Sequence, residues 1–224
     1  MLSSRVRSLI LLVSLSFLSL LVIDFYNVDL ILSGAIYEIY GWDLRQNFFW
    51  SFFYDWGPKP SLILTFICLI LFVYKKFKTD SLNIKTSLLL FPILTLITGP
   101  GILVNLIGKE LWGRPRPINC IELNGEKQFQ NVFNLNPSNN DKSFPSGHAA
   151  SGFHLCTMAL FFHKKWRLRS LILFLTWGGL VSASRILQGG HFLSDVLVAG
   201  AIVAFVSILF YPPNKTQSAG NKSL

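Results

Sequence analysis

The stretch 86–117, TSLLLFPILTLITGPGILVNLIGKELWGRPRP, joins a long apolar run directly to a cluster of cations. No charged side chain occurs over 86–108, and a run of about 18 or more apolar residues is typical of a membrane-spanning helix. Lys109, Arg114 and Arg116 follow at once. These cations either anchor a helix end among lipid headgroups or line a pocket for a highly charged anion.

Apolar runs of this kind recur along the chain, which has 224 residues, 51% of them hydrophobic and 14% charged. We predict an all-α fold, a six-span transmembrane helical bundle forming one domain over 1–213, with a short disordered tail over 214–224. The expected spans are 8–24, 61–74, 86–108, 149–162, 170–187 and 192–211. The first follows basic residues, as secretory signals do, but no A-x-A-like site follows, so we expect an uncleaved span.

The charged residues predict an orientation for these spans. The formal net charge is +9, and with six spans most cations fall on one side, which the positive-inside rule makes cytoplasmic together with both termini. Those residues are Arg5, Arg7, Lys75, Lys76, Lys78, Lys85, Lys164, Lys165, Arg167, Arg169, Lys215 and Lys222. Orientation does not explain the cations left on the opposite, periplasmic side: Arg45, Lys59, Lys109, Arg114, Arg116, Lys127, Lys142 and Arg185.

Two connections on the periplasmic side are long. Residues 25–60 contain YGWDLRQNFFWSFFYDWG, whose aromatic density predicts an interfacial helix between spans 1 and 2 or a lid packed on the bundle. Residues 109–147 form a long polar loop, and long loops on rigid scaffolds often carry sites. Nucleic acid is not an expected partner, because no basic helix, RNA-binding motif or zinc-finger spacing occurs.

The three cysteines give no metal or redox signature, since Cys68, Cys120 and Cys156 lie far apart without a CxxC pair. Cys68 and Cys156 fall within apolar runs and are expected to be small core residues. The pattern leaves open whether Cys120 is free or paired.

Three polar clusters share the periplasmic side: KELWGRPRP at 109–117, PSGH at 145–148 and SRILQGGHFLSD at 184–195. Six-helix topology brings all three to one membrane face although they are far apart in sequence. The first cluster leaves open whether Arg114 contacts a bound anion or anchors the loop.

The cations of these clusters are suited to one anion. The guanidinium forks of Arg116 and Arg185 match phosphate oxygens, and Lys109 adds a compact charge. Ser146 and Gly147 precede a helix, whose N–H groups and dipole favour an anion, and Gly147 lets the backbone approach closely. The pattern predicts a phosphate-sized pocket with no metal and no cofactor.

The histidines divide into two kinds. If helical, His191 and Asp195 share a face, and the carboxylate then holds the imidazole in one tautomer with its other nitrogen free as a nucleophile. His148 is suited to donate a proton to a departing alkoxide. His154 is expected to be a hydrogen-bonded core residue, and His163 joins the cytoplasmic basic flank.

The three clusters resemble the signature of the type 2 phosphatidic acid phosphatase superfamily, which reads K-x6-RP, PSGH and SR-x5-H-x3-D. Here it runs from Lys109 to Arg116-Pro117, over 145–148, and from Ser184-Arg185 to His191 and Asp195. The resemblance implies a six-span α-helical fold and metal-independent hydrolysis of a phosphate monoester. The stretches GPGILVNLIGKELWGRPRP and LQGGHFLSD are most similar to bacterial lipid A phosphatases, especially those acting at the 4′ position.

The same resemblance implies a role for each residue of the clusters. His191 attacks phosphorus and becomes transiently phosphorylated, Asp195 supports it, and His148 protonates the leaving group. The phosphoryl oxygens are bound by Lys109, Arg116, Ser146, Gly147 and Arg185. The resemblance also implies a multi-pass protein of the bacterial inner membrane whose active site faces the periplasm.

The substrate remains open among phosphorylated membrane lipids. Lipid A is the first expectation, and phosphatidylglycerol phosphate, phosphatidic acid and undecaprenyl diphosphate are the alternatives. A remoter alternative is a non-enzymatic carrier of lipid phosphates or anions, although a carrier has little use for a paired nucleophile and acid. The oligomeric state is not readable from the sequence.

Overall fold

The regular structure of the chain is helical. A computed structural model describes residues 3–78 and 84–212, and the expected tail at 214–224, with Lys215 and Lys222, lies outside them. No strand occurs in the two described ranges, which confirms the all-α prediction. The α-helices are α1 (Ser4–Phe25), α2 (Val28–Tyr40), α3 (Phe48–Trp56), α4 (Lys59–Lys78), α5 (Ile84–Leu96), α6 (Lys109–Trp112), α7 (Gly147–His154), α8 (Lys164–Leu187) and α9 (Leu193–Phe210).

Five helical segments of the described chain are long and apolar enough to cross a membrane, and they contain five of the expected spans wholly or in large part. They are Ser4–Phe25, Phe48–Lys78, Leu88–Asn119, Lys164–Leu187 and Leu193–Phe210. The expected span over 149–162 is instead divided between α7 and a 3-10 helix, Leu155–Phe161. Six crossings therefore stay a prediction.

The surfaces of the long helices suit contact with lipid. On α1, the side chains of Leu11 and Leu18 are 60% and 57% exposed, and on α4 Phe66 is 61% exposed. Large apolar side chains at this density are unfavourable in water and match the hydrocarbon of a bilayer.

The centre of the bundle is packed with small residues around α7. Ala149 and Ala150 form one buried cluster with Ala199 and valines of the neighbouring helices. A Cβ on Gly152 would lie 3.3 Å from the Cα of Gly178 on α8, so glycine is what allows these backbones to approach. Small residues let helices approach closely in membranes, where dispersion contacts drive association. This approach fixes α7, and with it the PSGH cluster, between α8 and α9.

The long third segment changes its hydrogen-bonding pattern at Ile97. Residues Ile97–Gly108 form a π-helix between α5 and α6, and they include the TGPG stretch at 98–101, whose glycine and proline residues favour a kink. Pro100 lacks an N–H donor, and the side-chain amide of Asn105 donates to its carbonyl at 2.7 Å. A neighbouring polar side chain thus forms a hydrogen bond with a backbone atom that the altered helical hydrogen-bonding pattern leaves without a partner.

The aromatic connection between α1 and α4 contains two helices rather than one. α2 packs on α9, and α3 packs on α8. The Ser184 hydroxyl donates to the Trp50 carbonyl at 2.8 Å, and Phe53 meets Trp177 edge to face. These contacts agree with the lid alternative, because α3 is fixed on the helix that carries Arg185.

His154 is a hydrogen-bonded core residue, as expected. Its fully buried ring joins three helices, with Nδ1 2.6 Å from the Ser61 hydroxyl and Nε2 3.0 Å from both the Thr95 hydroxyl and the Pro92 carbonyl. Since the Pro92 oxygen only accepts, Nε2 carries the proton and Nδ1 accepts from Ser61.

We expect His154→Ala to lower the stability of the purified protein by about 1–3 kcal/mol, because buried polar partners lose their hydrogen bonds. Thermal unfolding in detergent micelles measures the effect. His163→Ala, at an exposed position, is the matched control and should melt like the wild type. Equal melting of all three proteins would contradict a structural role for His154.

Candidate active site

The first and second clusters meet at Gly147. A Cβ at this position would lie 3.2 Å from the Lys109 Nζ and 2.8 Å from the Asn105 Oδ1. The absence of a Cβ at Gly147 therefore lets the ammonium group lie close to the first turn of α7. The N–H groups of this turn and the helix dipole attract negative charge to the same place as Lys109 does.

Arg185 brings a second cation from the last turn of α8. The side chain is buried, Nη1 donates to the Gln188 Oε1 at 2.8 Å, and Nε has no hydrogen-bond partner among the described residues. A Cβ on Gly190 would lie 2.1 Å from Nη2, so the glycine makes room for the guanidinium. A buried donor without a partner is costly, and an oxyanion would satisfy it.

His191 and Asp195 are paired, but not on one helix face. α9 begins at Leu193, so His191 lies before the helix and Asp195 lies in its first turn. The His191 Nδ1 is 3.3 Å from the Asp195 Oδ2, which also accepts from the Phe192 N–H at 2.9 Å and the Ser143 hydroxyl at 2.5 Å. Because α9 begins only after His191, the two residues do not share a helical face, and that conditional expectation is wrong. The expected orienting contact is still made, by a carboxylate that caps α9.

His148 lies in the first turn of α7, within reach of all three clusters. Burial lowers its pKa to about 3, and the charges of Arg185, His191, Lys109 and Arg116 act in the same direction. These charges all act against protonation of His148.

The pKa of His191 is also lowered, chiefly by burial, although its hydrogen bond to Asp195 opposes the shift. Both imidazoles are therefore neutral near pH 7. A neutral imidazole has the lone pair that a nucleophile needs.

Ser146 caps α7, with its side-chain oxygen accepting from the Ala149 N–H at 3.3 Å. Its own N–H donates to the Asp195 carbonyl at 3.1 Å, which ties the second cluster to the third. The Ser146 hydroxyl proton remains free to be donated to an anion.

Arg114 anchors the loop and is fully buried, so the alternative of contact with a bound anion is wrong. Nη1 donates to the Asp195 Oδ1 and to the Ser194 hydroxyl, both at 2.7 Å. Nη2 donates to the Asp29 Oδ2 at 2.9 Å, and Nε donates to the Gln130 carbonyl at 2.9 Å. The guanidinium thus links α2, the polar loop and α9. Cys120, whose pairing was open, is a free and buried thiol.

Two residues near the site were missed by sequence reasoning. Asp29 is buried and pairs with Arg114, and Tyr54 stacks on His148. A carboxylate within the apolar stretch VDLIL was a usable signal for Asp29, because ionisable residues among apolar ones are costly and usually paired. One tyrosine in an aromatic-rich segment gave no comparable signal for Tyr54.

Comparison with known proteins fits this geometry. A family model for the PAP2 superfamily matches residues 88–217, which is more than half of the chain. The chain belongs to the PAP2 superfamily. The prediction of a phosphoric monoester hydrolase is thereby confirmed.

Curated relatives point in the same direction. The chain is 34% identical over 197 residues to a lipid A 4′-phosphatase of Francisella tularensis subsp. novicida, covering 84% of this chain and 86% of the relative. A lipid A 4′-phosphatase of Rhizobium leguminosarum is 36% identical over 118 residues, about half of each chain. Sphingosine-1-phosphate phosphatase 1 of Rattus norvegicus is 36% identical over 78 residues, a third of this chain and 18% of the relative. No solved structure gave a significant match.

We expect Arg114→Met to lower the stability of this PAP2 protein by about 3–5 kcal/mol, because two buried carboxylates lose their common cation. The midpoint of thermal unfolding in micelles measures the loss. Lys127→Met is the matched control. It breaks the pair with Asp141, and because the lysine is 45% exposed it should cost less than about 1 kcal/mol. If both variants melted alike, the buried pairs would not be the stabilising element inferred here.

Proposed function

We propose that this PAP2 enzyme removes a phosphate monoester from a membrane lipid through a phosphohistidine intermediate, with lipid A and its 4′-phosphate as the substrate. The observation that carries the proposal is the pairing of His191 with Asp195, near an Arg185 Nε that has no hydrogen-bond partner within residues 3–78 and 84–212. A nucleophile held next to an oxyanion site is the arrangement that phosphoryl transfer requires.

In the first step the His191 Nε2 attacks phosphorus. Nδ1 faces the Asp195 Oδ2, so the ring proton sits on Nδ1 and the Nε2 lone pair is free. An N–P bond forms, the ester P–O bond breaks, and His148 gives its proton to the leaving alkoxide. Lys109, Arg116, Arg185, the Ser146 hydroxyl and the Gly147 N–H stabilise the charge on the phosphoryl oxygens.

In the second step water attacks the phosphohistidine. His148, now neutral, takes a proton from the water, the N–P bond breaks, and His191 is regenerated as inorganic phosphate leaves. The cations supply the charge stabilisation that a metal ion supplies in other phosphatases.

His148 needs its proton before the first step, yet burial and the neighbouring cations lower its pKa to about 3. A phosphate ester brings negative charge next to Lys109, Arg116 and Arg185, which offsets the cations that disfavour protonation. Substrate binding therefore raises the pKa of His148, so that this general acid is protonated when a phosphate is bound.

The choice of lipid A rests on the relatives. The relative that covers 84% of this chain is a lipid A 4′-phosphatase, whereas the sphingosine-1-phosphate phosphatase covers only a third. Phosphatidylglycerol phosphate, phosphatidic acid and undecaprenyl diphosphate remain the alternative substrates, since they present the same phosphoryl chemistry.

The proposed location is a bacterial inner membrane, with the site at the periplasmic face, both termini in the cytoplasm and one domain over 1–213. The sixth crossing is α7 with its 3-10 extension. At helical rises of about 1.5 and 2.0 Å per residue this pair spans about 26 Å, close to the hydrocarbon thickness of a bilayer. The connection between α1 and α4 then covers the periplasmic end of the bundle.

We expect His191→Ala to lower phosphate release from lipid substrates by about 1,000-fold or more, because no other group replaces the nucleophile. Phosphate is measured with protein purified in micelles, and His163→Ala is the matched control that should retain the wild-type rate. Undiminished turnover by His191→Ala would reject the phosphohistidine route.

The substrate is tested by giving the wild-type enzyme lipid A, phosphatidylglycerol phosphate, phosphatidic acid and undecaprenyl diphosphate in separate reactions. We expect the highest kcat/KM with lipid A and a product that keeps its 1-phosphate, identified by mass spectrometry. A higher kcat/KM for any of the other lipids, or loss of the 1-phosphate, would replace lipid A 4′-phosphate in the proposal.

The orientation predicts which positions an impermeant thiol reagent reaches in intact spheroplasts. After Cys68, Cys120 and Cys156 are replaced by alanine, a cysteine at Lys142 should react and a cysteine at Lys76 should not. Both lysines are exposed, so burial does not explain a difference. The opposite labelling would place the site in the cytoplasm.

A further inference from the structure

Tyr54 contacts two residues of the proposed site, although it lies before the part of the chain that the family model matches. Its ring centroid is 5.0 Å from that of His148, and the two planes differ by 13°. The Arg185 guanidinium carbon lies 4.5 Å from the same Tyr54 centroid. The aromatic ring therefore meets both the proposed general acid and a proposed phosphate ligand.

The position of Tyr54 is fixed by its helix. The Asn47 side chain caps α3 by accepting from the Phe49 N–H at 3.1 Å. At the other end, the Trp177 indole donates to the Gly57 carbonyl at 3.0 Å, and a Cβ on Gly57 would lie 2.7 Å from a methyl group of Val181. Both ends of α3 are thus held, one by its own cap and the other by α8.

The stack constrains the imidazole of His148. A ring lying parallel to it blocks rotation about the last side-chain bond and covers one imidazole face from water. The electron-rich face of a tyrosine also attracts cations, so it lessens the repulsion between Arg185 and a protonated His148. Both effects favour a proton donor held in one direction.

We propose that Tyr54 is a positioning residue that holds His148 and Arg185 in fixed relation, so that the proton donor and the phosphate ligand meet the same ester. The inference rests on the proposed function, in which His148 protonates the leaving group. The ring carries this role, because the contacts to both residues are made by its face.

The groups that act on the proton of His148 come from four parts of the chain. They are Tyr54 on α3, Arg185 on α8, His191 before α9, and Lys109 and Arg116 on either side of the Gly113 turn. Tyr54 is the only one of these that covers an imidazole face by stacking among the described residues.

The test compares two phosphate esters that differ in their need for an acid. Octyl phosphate has a poor leaving group that requires protonation, whereas 4-nitrophenyl phosphate has a good one. With Tyr54→Leu we expect kcat to fall about 10- to 100-fold on octyl phosphate and less than about threefold on 4-nitrophenyl phosphate. Tyr54→Phe keeps the ring and should stay within about threefold of the wild type on both.

The matched control is Phe48→Leu on the same helix, where the side chain is 87% exposed. A purely structural defect in Tyr54→Leu would lower both rates by the same factor, and that result would overturn the inference. Rates equal to those of Phe48→Leu on both esters would overturn it as well.

A second measurement does not depend on turnover. Carbethoxylation of His148 by diethyl pyrocarbonate, followed by mass spectrometry, should be severalfold faster in Tyr54→Leu than in the wild type and Tyr54→Phe. An unchanged modification rate would overturn the stacking role even if the wild type released phosphate from neither ester. Absence of any phosphate release would count against the proposed function alone.

Discussion

The Arg114 guanidinium lies between the carboxylates of Asp29 and Asp195, and the proposed nucleophile depends on this arrangement. All three side chains are buried. A single buried charge is very costly, and a buried ion pair is tolerated only when its geometry is good. Arg114 meets that condition by donating from all three of its nitrogens. Asp195 is thus held as an acceptor for His191, and α9 cannot shift without breaking a buried ion pair.

The segment between α1 and α4 takes part in the site from outside the matched family region. Asp29 on α2 reaches His191 through Arg114 and Asp195, and it also accepts from the Ser194 N–H at 2.9 Å. Tyr54 on α3 reaches His148 directly. The two helices, which pack on α9 and α8, are thus linked to the proposed nucleophile and to the proposed acid.

Sequence reasoning predicted the parts of the candidate site that local chemistry specifies. Motif spacing predicted roles for His148, His191 and Asp195, which stay predictions, and apolar runs located five of the helical segments. Asp29 and Arg114 are 85 residues apart, and no motif or periodic sequence pattern relates them, so their pairing becomes visible only when the helices are packed. Gly152 and Gly178 are likewise distant in sequence, and an apolar run does not reveal their close approach between α7 and α8.

The distribution of charge around His191 favours Nε2 as the attacking nitrogen in the proposed reaction. Behind the ring, Asp29, Arg114 and Asp195 carry a net single negative charge in a buried site. The proposed phosphate ligands Lys109, Arg116 and Arg185 are positive. In the proposed reaction the negative side favours a proton on Nδ1, and these cations attract the phosphate oxygens that Nε2 approaches. When the N–P bond forms, the ring becomes cationic, and the negative charge behind it offsets that change without any group having to move. If the Asp29 charge alone were removed, the Arg114 charge would neutralise that of Asp195. The negative charge that stabilises the cationic His191 ring would then be lost, although every residue of the three motifs remained.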